Sequence, residues 1–376
     1  MSLFSEIRNI MEGKGGNPIL SFILLILSWF YGIGHRCRLS LYKIGILKVK
    51  ILPIPVISIG NLTVGGTGKT PAIIEIANIL KDMGIKVAIL SRGYKGRARG
   101  EINAVSDGDR ILMKPEQSGD EPYMLALRLK GVPVITGTDR YTIGRYAIEK
   151  FGADILLLDD GYQHIQLKRK LNILLIDSSS PFGNGYLLPR GILREPPSYI
   201  NRADIILLTK AHTNQGPIPD LTDSQLKQLL KRDIPLCKSH YINEDFIDLK
   251  SKKTIALDEA RGKRGFAFCG IASPESFKNS LKRAGIDITG FVCFEDHYQF
   301  SMVDINNLIE KAMKTGSEVL ITTEKDAVRL MDFKTELFSI NSVNQMQVWF
   351  LKIRMEVFKG YEILLSKIRG AVLKQK

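Results

Sequence analysis

Short runs of consecutive apolar residues recur along this chain, separated by segments whose apolar positions return every three or four residues. "PVISIG" (55–60), "KVAIL" (86–90), "VPVIT" (132–136), "DILLLDDG" (154–161), "NILLID" (172–177) and "DIILLTK" (204–210) read as strands. Between them "PAIIEIANILKDMG", "DEPYMLALRLKG" and "DRYTIGRYAIEKFG" carry helical periodicity. Continuous apolar strands alternating with helices predict a parallel sheet covered on both faces. In such sheets ligands bind at the carboxyl ends of the strands. The Gly-rich loop after residue 60, the "SRGYKGRARG" loop and the "DDG" turn all fall there.

From about Pro217 to Lys263 the sequence turns polar and weakly patterned, a candidate connection. A second α/β unit restarts at "GFAFCGIASPESFKNSLKRAG" and continues through "TGFVCFEDHYQF", "MVDINNLIEKAMKTG" and "EVLITTEKDAVRL". The expected organisation is an N-terminal helix with a basic flank (1–50), a nucleotide-binding core (51–235), a linker (236–262) and a smaller C-terminal α/β domain (263–376). No internal repeat or low-complexity tract interrupts this pattern. Near the C-terminus "EILLSKIRGAVL" has the pattern of an amphipathic helix.

The first fifty residues differ from the rest. "PILSFILLILSWFYGIG" (18–34) runs 17 residues without a charge, against the roughly 20 needed to span a bilayer. Arg36, Arg38, Lys43, Lys48 and Lys50 crowd the far side, with only Arg8 and Lys14 before it. By the positive-inside bias the remainder of the chain stays cytoplasmic. Trp29, Phe30 and Tyr31 stand where interfacial anchors stand. "HRCRLSLYK" follows in place of a small-residue cleavage site, which argues against a secretory signal. The segment is either a buried helix packed on the main domain or a membrane anchor, spanning or lying in the interface; the anchor is the expectation.

Composition adds one constraint. Lys and Arg number 53 against 39 Asp and Glu, so the chain should attract an anionic partner: nucleic acid, lipid headgroups or a phosphorylated substrate. Cys37, Cys237, Cys269 and Cys293 lack metal or redox spacing, and the expectation is small, buried apolar side chains in a reducing compartment.

The clearest chemistry lies in "NLTVGGTGKTP" (61–71). It follows the phosphate-loop pattern G-x-x-x-x-G-K-[ST] except that Thr63 stands in place of the first glycine. Thr63, Val64, Gly65, Gly66, Thr67, Gly68, Lys69 and Thr70 are the candidate nucleotide contacts. The glycines let backbone N–H groups turn toward phosphate oxygens, Lys69 reaches the β- and γ-phosphates, and Thr70 offers its hydroxyl to Mg2+. "ILLLDDG" then resembles a second nucleotide-site element, a strand ending in Asp159 and Asp160 that holds Mg2+ directly or through water. Transfer to a hydroxyl also needs a positioned base. Asp120 in "SGDEP" and His297 in "FEDHYQF" are candidates, although an Asp before a helix is commonly a cap and a lone His commonly structural.

Eight stretches in order, "GNLTVGGTGKTP", "SRGYKG", "GDEP", "LLLDDGYQH", "PRGILREP", "FCGIASP", "DHYQF" and "TTEKDAVRL", together resemble the tetraacyldisaccharide 4'-kinase family of lipid A synthesis, from about residue 17 to residue 330. The family's own loop carries Thr at the position of Thr63. The resemblance implies ATP- and Mg2+-dependent phosphorylation of the 4'-hydroxyl of a tetraacyl-disaccharide 1-phosphate, an anionic glycolipid, on the cytoplasmic face of the inner membrane. It implies a three-layer α/β/α core with a phosphate loop, a second smaller α/β/α domain across a cleft, a short two-stranded β linker and a membrane-associated N-terminal helix. It further implies that Asp120 serves as base paired with His297, and that Glu195 is associated with Mg2+ alongside Asp160. Arg92 and Tyr94 become candidate substrate or phosphate contacts.

Two other readings compete. A membrane-associated ATPase switch would usually carry a second lysine where Val64 stands. A nucleic-acid-binding ATPase should interleave aromatic and basic residues on one surface, and "SRGYKGRAR" alone is too little. No nucleic acid and no obligate protein partner is expected.

Overall fold

A computed structural model describes residues 3–211, 226, 228–331 and 346–373. In chain order the elements begin with helices α1 (Leu3–Met11) and α2 (Pro18–Lys43), strand β1 (Val56–Asn61), α3 (Lys69–Asp82), β2 (Val87–Ser91) and β3 (Asn103–Ser106). They continue with α4 (Pro115–Ser118), α5 (Asp120–Arg128), β4 (Val134–Thr136), α6 (Arg140–Phe151), β5 (Ile155–Asp159), β6 (Leu171–Asp177) and β7 (Ile205–Thr209). The later strands are β8 (Leu236–Asp248), β9 (Thr254–Ile255), β10 (Arg264–Cys269), β11 (Asp287–Cys293), β12 (Val319–Thr323) and β13 (Gln347–Lys359).

The chain forms two compact units, the first made of Met1–Arg92, Thr138–His240 and Val357–Lys376, the second of Gly93–Gly137 and Tyr241–Glu356. This differs from the division into consecutive blocks in two places. Residues 93–137 group with the later part of the chain, because α5 packs against the helix Glu324–Leu330. The terminal helix Tyr361–Leu373 groups with the first unit, burying Leu364, Ile368 and Ala371 and packing on β6. The expected polar connection also holds more structure than its composition indicates. Residues 217–225 lie outside the described residues, but β8 is a strand of 13 residues. β8 and β13 carry the chain between the units and are neighbours in the sheet order.

In the first unit the strands run β8-β7-β6-β1-β5-β2, every pairing parallel. β1, β2, β5 and β7 are buried at every position, the signature of a sheet covered on both faces. α3 packs on β1 and β5, and α6 on β2.

The second unit shows the same construction in finer grain. β11, β10, β12 and β13 pair in parallel in that order. Side chains alternate across a strand, and the core divides accordingly. Phe266, Phe268, Leu320, Val348 and Phe350 join one buried cluster; Ala267, Cys269, Val319, Ile321, Trp349 and Leu351 join the other. Helix Met302–Lys314 supplies Ile305, Leu308 and Ile309 to the first, and helix Pro274–Arg283 supplies Phe277 and Leu281 to the second. β3 and β4 form an antiparallel pair in this unit.

α2 begins at Asn17, whose side chain accepts hydrogen bonds from the backbone N–H groups of Ile19 and Leu20. At 26 residues it is about 39 Å long at 1.5 Å per residue. Only Leu24, Ser28 and Gly32, four residues apart, are buried. Ile19, Phe22, Ile23, Ile26, Leu27, Trp29 and Phe30 stay exposed. A narrow stripe therefore docks the helix and leaves a wide apolar face outside. The alternative of a helix buried on the main domain does not describe it.

All four cysteines are free. Cys237 and Cys269 are buried as expected of small apolar side chains, whereas Cys37 and Cys293 are exposed.

Candidate active site

In the first unit the Gly-rich loop joins β1 to α3. Its entry is held from both sides. The backbone N–H of Val64 donates to the carbonyl of Ile192 at 2.7 Å, and the N–H of Arg194 to that of Leu62 at 2.7 Å. Thr63 bridges to Leu193 and is buried, so the residue departing from the common pattern serves as a wall of the loop. Thr67 is fixed through Asn61 Nδ2, which donates to its hydroxyl at 2.7 Å, and through Thr209 Oγ1, which donates to its carbonyl at 2.9 Å. Gly65 and Gly68 have φ of 110° and 83°, left-handed conformations that a side chain would strain. Gly65 and Gly66 are exposed while Thr67 and Thr70 are buried. α3 then starts at Lys69 with no side chain capping its first turn. Its uncapped N–H groups and the positive end of its dipole face an anion naturally.

β5 delivers Asp159 and Asp160 to the same unit. Asp159 Oδ2 accepts from Ser91 Oγ at 2.7 Å, and Asp160 sits at φ 52°. Arg194 Nη1 lies 2.6 Å from Asp160 Oδ2, and Lys69 Nζ lies 3.7 Å from Asp160 Oδ1. Burial would raise the carboxyl's pKa, but the charges of Lys69 and Arg194 outweigh it and hold it below the ordinary carboxylate range. Asp160 Oδ1 is buried without a hydrogen-bond partner, with the Lys69 ammonium 3.7 Å from it. With the Thr70 hydroxyl and Asp159, this is a hard-oxygen donor set of the kind Mg2+ takes.

Glu195 is the acidic residue that the resemblance associates with Mg2+. Its side chain is fully buried and paired with Arg202; Gln163 Nε2 donates to Oε2 at 3.1 Å. His35 Nδ1 lies 3.7 Å from Oε1. Oε1, like Asp160 Oδ1, is buried without a hydrogen-bond partner, and among the described residues no three His, Cys, Asp or Glu side chains gather to hold a metal. The Arg202 guanidinium already neutralises the Glu195 charge, stacked 4.6 Å from the centroid of Tyr162 and 4.9 Å from that of Tyr199.

In the second unit Asp120 and His297 come together, 3.6 Å apart between Oδ2 and Nδ1. Both lie in one compact unit, not in different domains as their separation in the chain implied. Arg329 joins them: Nε donates to Asp120 Oδ2 at 2.7 Å, and Nη2 lies 3.2 Å from His297 Nδ1. Its Nη1 donates to Asp326 Oδ1 at 2.7 Å and to the carbonyl of Gly270 at 3.0 Å. Lys325 Nζ lies 3.2 Å from His297 Nε2 and 3.1 Å from Glu121 Oε1. Burial pushes the Asp120 carboxyl up. The adjacent His297 imidazole, with the charges of Arg329 and Lys325, more than reverses this and leaves it at about 2. His297 itself is held at φ 63°, an uncommon conformation for a non-glycine residue and a form of strain that collects at functional sites. Its N–H donates to the carbonyl of Gly270 at 3.1 Å. Asp120 opens α5, but no side-chain cap bond is made there.

Tyr94 is exposed with its ring 6.2 Å from that of His297. Arg92, in the first unit, is exposed at the end of β2. Arg329, Lys325 and Arg194 were not singled out from the sequence, although each lies inside a quoted motif. Basic residues within "TTEKDAVRL" and "LRE", downstream of unpaired carboxylate candidates, were the available signal.

The model for the tetraacyldisaccharide-1-P 4'-kinase family matches residues 20–370. The tetraacyldisaccharide 4'-kinase of Syntrophus aciditrophicus is 41% identical over 340 residues, covering 88% of this chain and 90% of its own length. That of Desulfotalea psychrophila is 43% identical over 316 residues, covering 83% and 88%. Among solved structures, the "apo" form of LpxK from Aquifex aeolicus in complex with ATP aligns with a TM-score of 0.73 and 32% identity, over 94% of this chain and 99% of that one. With the family model spanning nearly the whole chain and relatives of this identity covering most of it, the chain belongs to the tetraacyldisaccharide-1-P 4'-kinase family.

Proposed function

We propose that this protein transfers the γ-phosphoryl group of ATP to the 4'-hydroxyl of a tetraacyl-disaccharide 1-phosphate at the cytoplasmic face of the inner membrane. The observation that carries the reading is the uncapped start of α3 behind the Gly65–Gly68 turn, with Lys69 ion-paired to the Asp160 oxygen that makes no hydrogen bond. Triphosphate binding follows from that geometry, and the family supplies the acceptor. Lys69 neutralises the bridging phosphate charge and the loop N–H groups hold the phosphate oxygens. Thr70, Asp159 and Asp160 would hold Mg2+, which when bound offsets the charge on the β- and γ-phosphates.

On the acceptor side, Asp120 takes the hydroxyl proton with His297 sharing the load. A carboxylate at about 2 is a poor base for an alcohol, so the imidazole must hold or accept the proton as attack proceeds. Arg329 fixes both groups. Tyr94, exposed beside His297, would meet the disaccharide, and Arg92 a phosphate.

α2 supports an interfacial membrane helix and not a span. Ser28 and Tyr31, midway along it, donate to carbonyls of the folded unit at 2.8 and 3.0 Å. Its opposite, apolar face would enter the headgroup boundary, with the basic flank Arg36 to Lys50 on anionic lipid.

The alternative is an ATPase switch. ATP turnover that rises only when an acylated glucosamine disaccharide is supplied supports the kinase; equal turnover without it, stimulated by protein or bare vesicles, would support the switch.

A further inference from the structure

The apolar helix and the nucleotide site share one segment of chain. Residues 192–194 hold the entry of the phosphate loop by three backbone links: Val64 to Ile192, Thr63 to Leu193, and Arg194 to Leu62. The Arg194 guanidinium reaches Asp160 at 2.6 Å. From the other side Tyr31 of α2 donates its hydroxyl to the Arg194 carbonyl at 3.0 Å. Ser28, one turn earlier, donates to the Leu187 carbonyl at 2.8 Å, and Gly32 lies so close to Leu187 that a Cβ there would meet its side chain at 2.9 Å. The helix that carries the exposed apolar face thus also touches, through Tyr31, the residue that grips Asp160.

We propose that Tyr31 is a positioning residue for the nucleotide half of the reaction, orienting Arg194 against Asp160 through the Arg194 carbonyl. This rests on the nucleotide-site reading above. The physical reason is local. The Arg194 backbone is pinned on its amide side by Leu62, and the Tyr31 hydroxyl supplies the matching restraint on its carbonyl side. With both, the side chain leaves the backbone in one direction, toward the Asp160 oxygen that Lys69 does not approach. One contact of α2, the Tyr31 hydroxyl, is thus tied to the readiness of the nucleotide site in an enzyme whose acceptor is a membrane lipid.

The test uses the full-length protein in detergent and titrates a fluorescent ATP analogue against four forms: wild type, Tyr31→Phe, Arg194→Ala and the double variant. Loss of a single hydrogen bond of ordinary strength predicts a roughly two- to ten-fold weaker nucleotide affinity for Tyr31→Phe. The midpoint of thermal unfolding and co-sedimentation with vesicles should stay at wild-type values, which a general loosening of the helix would move. In the Arg194→Ala background Tyr31→Phe should cost nothing further. Ser28→Ala, which removes a bond from the same helix without touching Arg194, should leave nucleotide affinity unchanged. Unchanged affinity in Tyr31→Phe, or the same fold-loss with and without Arg194, overturns the inference. Lys69→Ala separates the two claims: if it too leaves affinity intact, the nucleotide-site reading has failed, whereas a loss there beside an unaffected Tyr31→Phe defeats only the coupling.

Discussion

Replacing Arg329 with Met should cost the protein about 3–5 kcal/mol of stability, the range for removing one partner of a buried charge pair. Arg329 is 2% exposed and its guanidinium serves three acceptors within 3.0 Å: Asp120, Asp326 and the Gly270 carbonyl. Two carboxylates lose their counter-charge together. Asp326 is wholly buried, and burial already pushes its carboxyl up against the opposing pull of Arg329, so it carries the larger share. Asp120 contributes the rest. Its displacement from 3.8 to about 2 corresponds to about 2 kcal/mol at 1.36 per unit, shared among His297, Arg329 and Lys325. The sign follows from a depressed carboxylate: this stability is present above the unfolded value near 4 and is lost as pH falls toward 2. In Arg329→Met the Asp120 carboxyl should titrate higher, so its remaining contribution disappears at a higher pH. Urea unfolding at pH 7 and across pH 2 to 5 reads both effects, with Arg329→Lys expected to recover part of the loss. A change below about 1 kcal/mol at pH 7 would mean that the cluster is solvated and that the reasoning from burial is wrong.

Lys69→Ala should lower turnover by about two to three orders of magnitude while thermal stability stays close to wild type, since its main partner is the phosphate charge; near-normal turnover contradicts the nucleotide assignment. Asp120→Ala and His297→Ala should each slow transfer strongly, and the double variant should be little worse than the poorer single, as groups acting as one unit behave; multiplicative losses in kcat would show independent roles. Ile26→Glu combined with Phe30→Glu, both on the exposed face of α2, should release the protein from vesicles while sparing the Leu24, Ser28 and Gly32 stripe. Residual binding that vanishes at high salt is expected from the basic flank, and binding that persists at high salt would contradict the interfacial reading.

The nucleotide half was legible because its parts are contiguous: strand, glycine turn and helix start occupy residues 56–70, and apolar runs without alternation announce buried strands. The acceptor half was not. Asp120 and His297 each have a common structural explanation, and only the resemblance paired them. Their meeting depends on α5 packing on the helix Glu324–Leu330, a contact between segments some two hundred positions apart that no local pattern records. The same distance hid the grouping of 93–137 with the later chain. β8 shows no pattern of its own because its central positions are only partly buried, which erases the apolar signal of a core strand; only the two-stranded linker that the resemblance implies pointed to it. Glu195 entered only through the resemblance: Arg202 and Gln163 hold its Oε2, while its Oε1 is buried without a hydrogen-bond partner.

The most direct test is transfer of radiolabelled γ-phosphate from ATP to purified tetraacyl-disaccharide 1-phosphate in detergent micelles with Mg2+, followed by mass spectrometry to locate the new phosphate. The account predicts label on the 4'-oxygen with wild type, little with Lys69→Ala or Asp120→Ala, and none on a disaccharide lacking that hydroxyl. ATP hydrolysis without labelled lipid, or label at another position, would contradict it.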